Sequence, residues 1–335
     1  IQGTVRKPNE NGDRLVTLFL VNTQVEPPTN RDTAWLFQPE IVVRSADQMG
    51  GAIFRRRPVL DADASDWERA SLEMIYRKQV EFGVGHGVAV HASVDPDNVE
   101  LATDIRTVIM PEYEVPITEV PGLREEDRPV LKTMVNDGYL DMTRLAEMDR
   151  IELISALSLM TDDYATWISE QLARVGVDIH GHDDSAKRAM ARCEEINLRL
   201  QAGIAVLADA NNENALKAFR FANQAMAKQR IQSIYALKRR QGKKVTLDEL
   251  WKEPKNYSWR SFQLAFLLLS LPALANPSHP DRTNPAEAFA DLLWFPTGGG
   301  KTEAYLGLAA FELIHRRLKF GEQGAGTSVI KRYTL

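Results

Sequence analysis

Apolar residues change their spacing twice along the chain, and each change marks a different kind of structure. From residue 1 to about 122 they fall in short β-branched and aromatic runs: Val16-Thr17-Leu18-Phe19-Leu20-Val21, Ile41-Val42-Val43, Ala89-Val90-His91-Ala92 and Thr107-Val108-Ile109-Met110. Asn, Asp, Gly and Pro clusters bound these runs, which is the pattern of strands closed by turns. One helix is expected among them, from Ser65 to about Phe82, capped by Asp63 or Ser65 and carrying Trp67, Leu72, Ile75 and Tyr76 among its apolar positions.

From about 123 to 245 the steps become three and four. Leu153, Leu157, Met160, Tyr164, Trp167, Leu172 and Val175 form one stripe, and Ala186, Met190, Cys193, Ile196, Leu200, Ile204 and Leu207 a second. A third stripe, Ala215, Phe219, Ala222, Met226, Ile234 and Leu237, follows a cap signal at Asn212-Glu213. Three long amphipathic helices are expected to bury these stripes together.

From about 246 the pattern mixes both kinds. Thr246-Leu247-Asp248-Glu249 has capping-box spacing. A Pro- and Asn-rich connector, Ala275 to Pro285, leads to an apolar run, Phe289 to Phe295, that reads as a buried strand. A Gly-rich turn, a helix from about Lys301 to Leu318, a loop from Gly321 to Gly326 and a second strand, Thr327 to Thr334, complete one parallel βαβ unit. The fold class expected is therefore multidomain α+β: a β-rich N-terminal domain over 1–122, a helical domain over 123–245, and the start of an α/β domain over 246–335.

Composition narrows the partners. The 335 residues are 44% hydrophobic and 26% charged, an ordinary globular balance that excludes disorder over most of the chain. With 41 basic against 46 acidic residues there is no global positive field for nucleic acid, so any such contact must be a local patch. The single cysteine, Cys193, excludes an intrachain disulfide framework and suits a reducing cytosol. The longest apolar run, Leu264 to Ala275, is broken by Ser270 and Pro272 and is too short to span a bilayer, so no membrane partner is expected. The chain opens on Ile1 and closes after a strand-like run, and it is read as a portion of a longer protein with a cytoplasmic location.

The chemistry concentrates at Phe295-Pro296-Thr297-Gly298-Gly299-Gly300-Lys301-Thr302, where an expected strand hands over to a helix. Glycines let the backbone curl with its N–H groups inward, and the new helix contributes its positive end, so a polyphosphate can be held from several directions. Thr297, Gly298, Gly299, Gly300 and Lys301 are the expected ATP contacts, with Lys301 on the β- and γ-phosphates and Thr302 ligating Mg²⁺. Phe295 stands where the general pattern has its first glycine, but superfamily 2 helicases vary that position, and the Pro-Thr-Gly-x-Gly-Lys-Thr core resembles theirs. That resemblance makes 246–335 the truncated start of a P-loop RecA-like domain. It also assigns Gln263, in Trp259-Arg260-Ser261-Phe262-Gln263, to the adenine edge, with Arg260 or Phe262 packing on the base. The alternative is a polar residue on an amphipathic helix. Lys331, Arg332 and Thr334, in the last expected strand, occupy the place where that superfamily touches the nucleic-acid backbone; a solvated strand end is the alternative.

Phe295–Leu306, Lys331–Leu335, Ala218–Met226, Phe37–Glu40 and Gly83–Gly87 together resemble the helicase subunit of DISARM anti-phage defence systems. The resemblance implies an ATP-dependent motor acting in bacterial defence against phage. Its implied partners are DNA, single-stranded or with single-stranded ends, and the second core subunit, DrmB. No Asp-Glu-x-His/Asp box is present, so the carboxylates that orient water are expected beyond Leu335, and the segment alone should hydrolyse nothing. A P-loop NTPase with no nucleic-acid track, and a scaffold over the first 245 residues that docks a partner subunit, are the competing readings.

Three other features have plainer explanations. Gly83-Val84-Gly85-His86-Gly87 is followed by a strand-like run, so it offers no helix end to a pyrophosphate and reads as a turn. His180-Gly181-His182-Asp183-Asp184 lies between helices, with Asp183 or Asp184 expected as a cap rather than a metal ligand. Lys238-Arg239-Arg240-Gln241-Gly242-Lys243-Lys244 ends a helix, where cations complement the dipole; five cations in seven positions could also meet DNA phosphates.

Overall fold

A computed structural model describes residues 1–46, 50–57, 66–112, 114, 124–286, 290–293 and 299–332. The chain divides into two compact units, Ile1–Val115 and Pro116–Leu335.

The first unit is built on short antiparallel pairings. Strand β1 (Gln2–Val5) pairs with β2 (Val16–Phe19), Gln2 opposite Phe19 and Val5 opposite Val16. A second sheet holds β3 (Val42–Arg44), β4 (Phe54–Arg55), β5 (Ala89–Val94) and β6 (Leu101–Val108), and β6 is antiparallel to each of the other three. Helix α1 (Trp67–Ile75) precedes β5. Its cap is Asp66, whose Oδ1 accepts the Arg69 N–H at 3.0 Å, whereas Asp63 and Ser65 lie outside the described residues. The helix stops at Ile75 and not near Phe82. The Glu81 carbonyl accepts the Arg57 N–H at 2.8 Å, so this stretch is drawn to another part of the chain instead of continuing the helix. The Gly83–Gly87 turn is a backbone device: a side chain on Gly85 would put its Cβ 1.8 Å from the Val88 carbonyl oxygen, and Gly87 has φ +74°. The His86 ring stacks on Phe19 at 6.1 Å.

The second unit is helical. Its elements are α2 (Pro129–Asn136), α3 (Met142–Glu147), α4 (Arg150–Leu172), α5 (Asp183–Ala208), α6 (Glu213–Arg240), α7 (Leu247–Trp251), α8 (Ser261–Ala275), α9 (Pro280–Thr283) and α10 (Lys301–Phe320). Each expected stripe contributes to one core, in which Leu153, Leu157, Leu200, Ile204, Leu207, Phe219, Ala222 and Met226 are buried, whereas Leu172, Ile196 and Leu237 of the same stripes are exposed. Asp149 caps α4 through the Glu152 N–H at 2.8 Å, and the Thr246–Glu249 capping box of α7 is formed in both directions. Helix α5 begins earlier than expected, with His182 at the cap position and Asp183 and Asp184 in its first turn, where carboxylates favour the positive helix end. Cys193 is half-buried rather than core.

No division falls at 245. Helix α8 packs on α5, and α10 packs on both α6 and α8, so residues on either side of that position share one core. Two glycines permit this. A Cβ on Gly203 of α5 would lie 2.0 Å from the Leu268 carbonyl oxygen of α8, and one on Gly307 of α10 would lie 2.8 Å from the Trp259 ring. Trp259 is fully buried, and its indole N–H donates to Asn223 Oδ1 of α6 at 2.7 Å.

The expected βαβ unit is only partly realised. Its helix is present, running two residues past Leu318, but Ala290–Leu293 and residues 327–332 are not in strands, and Gly321–Gly324 forms a short 3-10 turn. A strand needs a neighbour for its backbone donors and acceptors, and neither segment pairs with one among the described residues. Asp291 instead accepts hydrogen bonds from Arg199 Nη1 and Nη2, at 2.8 and 2.9 Å, which ties that segment to α5.

Helix α10 also buries a carboxyl and an imidazole, Glu312 and His315, the latter stacked on Phe311 at 5.5 Å. Burial raises the Glu312 pKa, against the opposing pull of Arg282 and Arg316; burial, aided by Lys319, lowers that of His315. For His315 the unfolded chain binds the extra proton, so stability is lost as pH falls through the ordinary value of 6.5. The raised Glu312 acts in the opposite sense as pH falls, so the histidine is isolated by comparison: denaturant melts between about pH 7.5 and about pH 5.5 are expected to lose more stability, or gain less, in the wild type than in His315→Leu. An unchanged slope in the variant would refute the assignment.

Candidate functional site

The glycine turn before α10 is shaped by the first turn of α8. Gly299 is buried, and Gly300, at φ 86° and ψ 27°, is the left-handed residue at the cap position of α10. Arg260 Nη1 donates to the Gly299 carbonyl at 2.6 Å, and Gln263 Nε2 donates to the Gly300 carbonyl at 2.7 Å. The Gln263 carbonyl oxygen accepts the Arg260 backbone N–H at 2.8 Å, which fixes the orientation of the amide.

In a trans peptide the N–H points opposite to the preceding carbonyl. Holding the Gly299 and Gly300 carbonyls against α8 therefore turns the Gly300 and Lys301 N–H groups the other way. Those donors sit at the start of a 20-residue helix that has no side-chain cap. Such an end can receive a phosphate oxygen. Lys301 is half-buried at the first helical position, and Thr302 beside it is exposed. A Cβ on Gly300 would stand 2.6 Å from Gln263 Nε2 and displace that amide, and φ +86° would strain any larger residue there.

The expected site residues thus fall into three groups. Arg260, Gln263, Gly299, Gly300, Lys301 and Thr302 are brought to one place; Thr297, Gly298 and Thr334 lie outside the described residues. Gln263 is 4% exposed; its Nε2 donates to the turn while its Oε1 accepts the Arg260 backbone N–H, a role the sequence pattern did not reveal. Lys331 and Arg332 are exposed and outside any strand. Sequence reasoning also missed Arg230 of α6, whose Nη1 donates to Glu303 Oε1 at 2.7 Å, one residue beyond Thr302. No local spacing could have paired residues 73 positions apart.

The basic run at the end of α6 closes with a Schellman turn. Lys243 N–H donates to the Lys238 carbonyl and Gly242 N–H to that of Arg239, both at 3.0 Å, with Gly242 at φ +75°. Arg239, Arg240, Lys243 and Lys244 are exposed. Among the described residues no cluster of three His, Cys, Asp or Glu side chains could hold a metal, the His180–Asp184 segment included, and no helix is long and apolar enough to cross a membrane.

Fold and site together define a mixed α+β chain with a glycine turn at the uncapped head of a 20-residue helix. No protein-family model matches the chain. Over 328 residues, 96% of its length, it is 34% identical to the DISARM protein DrmA of Bacillus paralicheniformis (strain ATCC 9945a / NCIMB 11709 / CD-2). The chain is DrmA-like, and it spans 27% of that relative.

Proposed function

We propose that the chain is the N-terminal portion of an ATP-dependent superfamily 2 motor acting on DNA in DISARM defence. The observation that carries this reading is the tethering of the Gly299 and Gly300 carbonyls by Arg260 and Gln263, which aims backbone donors outward at the head of α10. A turn of this kind suits the crowded negative charge of a triphosphate.

In the proposed site the loop amides and Lys301 hold the phosphates and offset charge on the γ-phosphoryl group, while Arg260 and Gln263 hold the loop. The residues present fit a magnesium-bound nucleotide: Thr302 places an exposed hydroxyl next to Lys301, and that hydroxyl would be the metal's protein ligand. Mg²⁺, when bound, would supply charge neutralisation for the phosphates. Activation of water falls to carboxylates outside this segment. With its amide bonded to the turn, Gln263 would reach adenine only through its remaining donor and lone pair.

The DNA contacts proposed are the exposed cations Arg239, Arg240, Lys243 and Lys244, with Lys331 and Arg332, and Thr334 as the residue named from sequence. Partnership with a second DISARM subunit, DrmB, belongs to the same proposal. Docking of that subunit on the first unit is favoured by its exposed apolar residues, among them Val25, Trp35 and Phe37.

The test is ATP hydrolysis by the full-length protein with and without single-stranded DNA and the partner subunit. Stimulation by DNA is expected. The double substitution Lys243→Ala, Lys244→Ala is expected to weaken DNA binding about three- to tenfold and to lower the salt slope by roughly one to two. An unchanged slope would reduce the run to a helix end.

A further inference from the structure

Glu303 is the third residue of α10 and lies at the mouth of the glycine turn. One of its oxygens, Oε2, is 3.4 Å from where a Cβ on Gly300 would stand, and the other accepts from Arg230 at 2.7 Å. A glutamate at this position commonly reaches back to the cap N–H. Here it turns to α6 instead, and the two charged groups are only partly exposed, at 31% for Arg230 and 23% for Glu303.

A carboxylate at this place repels any anion drawn to the helix end, and the partly buried setting screens that repulsion less than water would. Arg230 is the cation that offsets it. We propose that Arg230 is a positioning residue for polyphosphate at the glycine turn. It neutralises Glu303 and holds it to α6, so that phosphates meet a net positive helix end. The inference rests on the triphosphate reading of the turn and adds to it a coupling to α6. That helix carries the basic run at its far end, so one rigid element joins the phosphate site to the candidate DNA contacts.

Binding of a fluorescent N-methylanthraniloyl derivative of ATP, with magnesium, to the full-length protein provides the test. Arg230→Gln is expected to weaken binding about tenfold, the size expected of one uncompensated charge within about 10 Å of a polyanion. Glu303→Gln is expected to tighten it about threefold, and the double variant to return within about threefold of wild type. Arg230→Lys, which keeps the charge, should hold affinity within about threefold.

A double variant as weak as Arg230→Gln would mean a structural tether and would overturn the inference, as would weaker binding by Glu303→Gln alone. Should Arg230→Gln not fold, the sign of the Glu303→Gln effect still decides. Lys301→Ala separates the two levels. If wild type does not bind, or Lys301→Ala binds equally well, the triphosphate reading itself fails. If binding depends on Lys301 but is indifferent to Arg230, only the present inference fails.

Discussion

Lys301→Ala in the full-length protein is expected to lower ATP turnover by at least about a hundredfold while leaving the fold intact. The magnitude is that of removing one fixed group aimed at developing charge in a site sheltered from water. Lys301 opens α10 at a half-buried position, ahead of the helix's core residue Phe311. Alanine is also the best helix former, so α10 should keep its start. Phosphate release and a thermal melt on the same preparation check the two halves of the statement. Turnover within about threefold of wild type would remove Lys301 from the reaction and with it the motor reading.

Gly203→Ala is the second large effect, and its sign is what makes it informative. In an isolated helix the change is stabilising by about 1 kcal/mol, because glycine has more freedom to lose on folding. In this structure the new Cβ would stand 2.0 Å from the Leu268 carbonyl oxygen and 2.7 Å from its carbon. Both are backbone atoms of α8, so no side-chain rotation relieves the contact, and the helices must separate. A net loss of about 3 kcal/mol is expected in equilibrium denaturation, at the upper end of the cost of overpacking. Because α8 also presents Arg260 and Gln263 to the glycine turn, nucleotide affinity should fall with it. A neutral or stabilising result would contradict the close crossing of α5 and α8.

How far the chain could be read without its structure depended on the reach of each interaction. Helices α4, α5 and α6 were legible as three stripes with a period near 3.6, and the α7 capping box as a four-residue pattern. The end of α1 was not, because nothing in Tyr76 to Phe82 marks a stop, and beyond the helix Glu81 bonds to Arg57, far away in the chain. The cap of α5 was misplaced by one or two residues among the adjacent polar candidates His182, Asp183 and Asp184, any of which can precede a helix.

The same limit applies to the site. Gly300 and Lys301 announced the turn and the helix it opens, since a left-handed cap and an uncapped helix end are local properties. The bond from Gln263 to Gly300 and the pairing of Arg230 with Glu303 were invisible, because they join residues 37 and 73 positions apart. The strand expected at Phe289–Phe295 failed over its described residues for a related reason. Apolar composition shows that a segment can pair, not that a neighbour stands beside it.

Sequence alone determined where the long helices run and where a glycine turn opens the last of them, because helix hydrogen bonds close within four residues and glycine's left-handed freedom is its own. Tertiary structure alone decided that α8 and α10 join the core of the preceding helices, that Arg260 and Gln263 bond the carbonyls of the turn, and that Arg230 pairs with Glu303. Those contacts link side chains far apart in the chain, and only the packing of α5, α6, α8 and α10 brings them within bonding distance.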